Sequence, residues 1–442
     1  ALTSKQIAAL STGDIASLSA AQIASLGTAG ISGLTTDQIA ALSTDQVDAL
    51  TNVQVGALTS KQIAAFSADD LDTFTSAEIA AISSSAVSGL STAAIGSLSA
   101  VQIAALGTAA ISGLTTDQIA ALSTDQVDAL TNAQVGALSS KQIAALSTGD
   151  IASLSAAQIA SLGTAGISGL SSAQAGALSL EQIESLSTRQ IAALSSAGLA
   201  GLTTEDLETF SPEKLAAIGS SAIKGLSTDF IAALSPAEVA ALGTAGAAGL
   251  SSDQVRALSE EQIEALSTSQ IAVLSSAGLA GLTTEDLETF SPEELAAISP
   301  TAIGGLSTTV VASLSSDEIS ALTTSQVASL SYRQVAAMSA AQIGALSTSQ
   351  VSTLNAMQAA ALSADDLTAF STEQIISLNS SAISGLSTSA IAGLTASQAE
   401  AFTPGQIAAM TSTQVEALTS NGLANGLTED DVAADILSYL AV

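Results

Sequence analysis

Large apolar residues recur at every eighth position from Leu2 to Leu418, always Leu, Phe, Ile or Met, across 53 positions without a slip. A second apolar position stands five residues after each of these. It holds Ile, Val or Leu, and Ala only at Ala175, Ala247, Ala359 and Ala399. Apolar spacings of five and three destroy the alternation that a strand needs, which argues against a β-solenoid. The residue after each of the 53 positions is Ser, Thr, Gly or Asn, the vocabulary of the helix N-cap. The octad therefore reads as cap, N1 to N6 and Leu, with a short helix of about six residues starting at each cap.

Three details support that phase. Gln often stands at N3, as in Thr35 to Gln38, and an acid elsewhere, as in Ser11 to Asp14, which makes a capping box. The Leu before the cap and the Ile at N4 form a hydrophobic staple. All five prolines (Pro212, Pro236, Pro292, Pro300 and Pro404) fall at N1, where a missing N–H costs nothing. A cap, glycine or proline every eight residues excludes one long helix.

A six-residue helix does not hold in water alone, so octads must bury their Leu and Ile against one another. N6 is small throughout apart from Val273, which lets backbones approach. The expected fold is all-α, a solenoid or superhelix of about 53 eight-residue repeats. Longer repeats sit on the octad. The segment 35–52 returns at 115–132, 195–218 at 275–298, and 4–34 at 140–170, offsets of ten and seventeen octads. A triangular coil of slightly more than three octads per turn fits both offsets.

The array is expected to fill residues 1–426 as one elongated domain without linkers. After Leu423 the register slips by one through Asn425–Gly426, and residues 427–442 read as a register-shifted C-terminal helix, a cap or docking element. Ala1 stands at an octad seam without Met, which fits a processed chain or part of a longer one.

Charge changes the picture further. The net charge is −32 at pH 7, with eight Lys and Arg against 40 Asp and Glu. Within the array every charge lies at N1, N2, N3 or N5, so these four positions are expected to face water. First-turn carboxylates also suit the positive end of the helix dipole. Such a surface disfavours nucleic acid and anionic membranes, and no apolar run is long enough to span a bilayer. Cys, His and Trp are absent, which excludes thiol chemistry, His-dependent triads and His- or Cys-ligated zinc.

Paired acids at Asp69-Asp70, Glu205-Asp206, Glu285-Asp286, Glu293-Glu294, Asp317-Glu318 and Asp365-Asp366 are read as N2–N3 helix-start acids in a solvated first turn. Gly243, Gly246 and Gly249 are read as packing residues, and Asn379, in a glycosylation-like Asn-Ser-Ser, as a cap. Phe230 is the one Phe at N3. No catalytic, cofactor or metal site is expected, and no enzyme.

An acidic, thiol-free chain rich in Ala, Ser, Leu, Thr and Ile resembles the large secreted octapeptide-repeat surface proteins of Gram-negative bacteria. The tail from Asp430 to Val442, acidic and then apolar, looks like the uncleaved C-terminal signals of type I secretion. That resemblance implies an extracellular, cell-surface location. The function expected is a structural subunit of an extracellular filament, stacking head to tail on itself without nucleic acid or membrane insertion. The assembly residues would be Leu2 and Ile7 at one end and Leu427, Val432, Ile436, Leu437 and Leu440 at the other. A monomeric stalk or adhesin spacer is the alternative, and an ice- or polysaccharide-binding surface of cap hydroxyls the second.

Overall fold

The computed structural model describes residues 2–424. Helices and turns make up all the regular structure of these residues, and each octad from Thr3 to Met410 contributes one short helix. The fold is a solenoid of helical repeats. Contacts group the chain into two compact units, Ala1–Leu226 and Ser227–Val442, and the octad register continues across the join.

The octad opening at Ser43 shows why the local sequence folds as it does. Ser43 is extended at φ −77° and ψ 159°, and its hydroxyl accepts the Gln46 N–H while Gln46 Oε1 accepts the Ser43 N–H at 2.8 Å. The helix Thr44–Asp48 then ends within two residues. No left-handed residue is needed for the exit. At Leu98 and Ser99 two extended residues in succession (ψ 138° and 157°) turn the chain into the next helix. Four prolines open α-helices at N1 as expected, at 212, 236, 292 and 404. The octads at Gly219 and Ser299 tighten to 3-10 turns, Ile223–Gly225 and Ile303–Gly305.

Stacking sets the length of a turn. Helices pack on those three octads along the chain, as Ser84–Val87 on Thr108–Gly113. The N3 side chains reach back four octads, as Gln118 to Val87 and Leu90. One turn of the coil therefore takes more than three octads and fewer than four, in agreement with the sequence expectation. The N4 residues and the octad Leu fill the interior. Ile95 is fully buried and Leu98 4% exposed, a pattern repeated through both units.

N6 carries the closest backbone approach. A Cβ on Gly89 would lie 1.9 Å from the Ser60 carbonyl oxygen, and one on Gly225 at the same distance from that of Ser196. Glycine is used here for space, because the backbone of a turn three octads away occupies the volume of any side chain.

Two sequence expectations need correction. N3 does not face water: Gln46, Gln126 and Gln326 are buried, and so are the acids Asp150, Asp206, Asp286 and Asp366 at that position. The coil is the reason, since N3 faces the turn below while N1, N2 and N5 face outward. The second correction concerns the last cap. The helix Ser412–Ala424 runs straight through Leu418–Thr419. Thr419 bonds back to the Val415 carbonyl at 2.8 Å and Ser420 to that of Glu416, so these hydroxyls are taken up within the helix instead of starting a new one.

Candidate assembly interface

The surface that each turn offers the next recurs along the described residues, and its chemistry starts at N3. Gln126 shows the full arrangement. Its Oε1 accepts the Ser123 N–H at 2.8 Å, completing the capping box. Its Nε2 donates to Ile95 O at 2.9 Å and Leu98 O at 2.6 Å, four octads earlier. These carbonyls lie at the C-terminal end of a buried helix, where intrahelical donors have run out. One amide thus satisfies both ends of the interface, and the same bonds recur at Gln38, Gln62, Gln270 and Gln406. Among the described residues no buried side-chain nitrogen or oxygen lacks a partner.

Sequence reasoning found the capping half of this clamp and missed the other half. The available signal was the choice of Gln over Glu. A capping box accepts either, and the helix dipole favours the acid. Only the need for a donor selects the amide.

Where N3 is not Gln, the interface is solved in other ways. Lys214 donates from Nζ to Glu184 O at 2.8 Å and stands over the Phe210 ring, 5.7 Å from its centre. Burial lowers the Lys214 ammonium below its ordinary range, and the Glu184 carboxylate partly opposes this. Asp150 accepts from Thr124 Oγ1 at 3.0 Å. Phe230 is buried in the same phase. Ala or Gly takes N3 wherever N6 is Gly in this array, as in the octads of Gly89 and Gly113.

The paired acids split by position. At N2, Glu205, Glu285 and Asp365 are exposed, whereas their N3 neighbours Asp206, Asp286 and Asp366 are buried and hold the cap N–H. Five exposed first-turn acids, Asp14, Glu213, Glu261, Glu285 and Glu373, are held below the usual carboxylate range. For Asp14 the Ser11 hydroxyl is the leading cause and the Ser11 N–H the next. For Glu261, Glu285 and Glu373 the residue's own backbone N–H leads, followed by a Ser or Thr hydroxyl. No group of three or more acids in the described residues is placed to hold a metal ion. The cap hydroxyls of Ser43, Ser123 and Ser251 are bonded into their own helices.

The first turn differs from those above it. Gln6 and Gln22 form their capping boxes but have no turn below within the described residues, and both are exposed. Leu10, Leu18 and Leu26 are half-buried, whereas Leu34 is 4% exposed. Of the expected assembly residues, Leu2 is 48% exposed on this rim. Ile7 is fully buried inside its own turn, with its carbonyl taken by Gln38, so its side chain does not face outward. Leu427, Val432, Ile436, Leu437 and Leu440 lie outside the described residues. No described helix is long and apolar enough to cross a membrane.

Comparison with known families agrees with the repeat architecture. The ALTTAQ repeat matches residues 7–44, 21–52, 28–60, 39–68, 100–132, 119–148, 143–180, 231–260 and 295–332, together nearly half of the chain. The chain is a repeat protein similar to that family. No curated protein matches it.

Proposed function

We propose that this repeat protein is a structural subunit that assembles by stacking turns of its coil end to end, into a filament outside the cell. The observation that carries the reading is the interface between successive turns of the coil. It is built from N3 amides and buried Leu side chains that recur along the chain. A turn of the same repeat, contributed by a neighbouring subunit, fits this surface by the bonds that join Gln126 to Ile95 and Leu98. Contacts of this head-to-tail kind do not close, and so they propagate. The extracellular placement rests on the resemblance in composition to secreted surface repeats.

Electron microscopy of the purified chain over a concentration series tests the proposal. Filaments much longer than one molecule are expected, with lengths that grow with concentration. Particles of uniform length at all concentrations would overturn it and favour the monomeric stalk. Removal of residues 427–442, to which the sequence assigns docking, is expected to abolish growth. Filaments that persist would take that role from the tail.

A further inference from the structure

The unit Ala1–Leu226 segregates its charge by side. The octads opening at residues 3, 27, 59, 83, 107, 139, 163, 195 and 219 follow one another up one side of the coil, in steps of three or four octads. Where the step is three octads, a glycine lies on the serine below, as Gly89 on Ser60, Gly169 on Ser140 and Gly225 on Ser196. Where it is four, an amide or a carbonyl makes the contact: Gln62 to Leu34, Gln142 to Leu114, and Leu170 O beside Gly198. This column contains no Asp or Glu, in a chain that has 40 of them. It does contain Lys5, Lys61, Lys141 and Lys224, all exposed. Among the described residues the one ion pair is Arg256 with Asp253, so none of these four lysines is paired.

A second column carries the opposite sign. The octads opening at residues 11, 43, 67, 99, 123, 147 and 179 are joined by Gln46 to Ile15, Gln102 to Leu71, Thr124 to Asp150 and Gln182 to Ile151, and by helix packing between. This column contains no Lys or Arg, and presents exposed acids such as Asp45, Asp69, Asp125 and Glu181.

We infer that the lysine column is a side-to-side docking surface for a second copy of this chain, which lays its acidic column along it. Charge complementarity supports this partner, and so does spacing. The rise between successive lysines and between successive acids is fixed by the same coil, so two copies alongside each other stay in register over many turns. A polyanion with a different repeat does not keep that register. Because the two columns are different surfaces, the contact is heterologous and leaves each copy free to bind another. It is also independent of end-to-end stacking.

The test compares the full chain with Lys5→Gln/Lys61→Gln/Lys141→Gln/Lys224→Gln and with the matching four-fold Lys→Arg variant, by sedimentation and electron microscopy at low and high salt. The four sites are exposed, and an unchanged circular dichroism melt is expected for both variants. The original chain and the Arg variant are expected to associate side by side at low salt and to separate at high salt. The Gln variant should need about tenfold or more protein for half-association, with any end-to-end growth unaffected. Equal lateral association in the Gln variant, or none in the original chain, overturns the inference. Lysine-dependent binding of dextran sulfate or phosphatidylserine vesicles without self-association overturns it too, by giving the column to another partner. Loss of filament length with width intact counts against end-to-end stacking instead.

Discussion

At the scale of the residue, the decisive atom is the Nε2 of the N3 glutamines. The capping box was legible in the sequence because both of its partners lie within four residues. The second role was not, because Gln126 meets Ile95 and Leu98 only once the coil has closed. The change Gln126→Glu keeps shape and capping but sets a carboxylate oxygen against two carbonyl oxygens. A local loss of about 2 kcal/mol or more is expected, read as faster amide exchange around residues 95–98 and 123–130, and unchanged protection there would contradict the clamp. The glycines give a matched pair. Gly89→Ala drives Cβ into the Ser60 carbonyl and should open that stack, whereas Gly27→Ser meets nothing within 4 Å and should be tolerated. Melting temperatures of the two variants separate these outcomes.

Acid–base behaviour belongs to the same scale. The carboxyl of Asp14 lies below its ordinary 3.8, held by the hydroxyl and N–H of Ser11 at 2.7 and 2.9 Å. A group whose folded pKa is depressed stabilises fully above its unfolded value, and that contribution is lost as pH falls through the lower folded value. The variant Asp14→Asn is therefore expected to weaken the first turn at pH 7 and to match the original chain near pH 2. Exchange rates of residues 11–18 at the two pH values check this, and an equal deficit at both would contradict it.

At the scale of the element, short helices were legible because each carries its own start signal, and a small residue with an extended Leu ends it. Thr419 shows where the signal fails. A Thr in the cap phase still has two uses for its hydroxyl, and here the bond back to Val415 wins. The N1 position permits a direct test of helix phase. Ser19 is already extended (ψ 157°), as a residue before proline must be, so Ala20→Pro should stabilise by about 0.4–1 kcal/mol through the unfolded chain. Moved to N5, Ala24→Pro enters the helix Ala20–Ala24 and should cost about 3 kcal/mol. Thermal unfolding of the two variants should rank them in that order on either side of the original chain.

At the scale of the molecule, the octad announces a solenoid, and the offsets of ten and seventeen octads carry the turn. Both can be composed of steps of three and four, so duplicated segments return to the same column, as Gly33, Gly113 and Gly169 do. Which faces would be charged was less legible. Phase within the octad does not distinguish N3 from N2 until the turn below is in place, and the lysine column exists only once octads far apart in sequence have been stacked. The terminal expectations at Leu427 to Leu440 concern residues outside those described.

The coil closure itself can be tested in a chain that has no cysteine of its own. A Cβ on Gly56 would lie 3.8 Å from that of Ala81, three octads on and at the separation a disulfide prefers. Under mild oxidation the pair Gly56→Cys/Ala81→Cys should cross-link nearly completely within the monomer, while Gly56→Cys/Thr73→Cys, one octad short, should stay reduced. Cross-linking of the second pair, with none in the first, would contradict a turn of more than three octads.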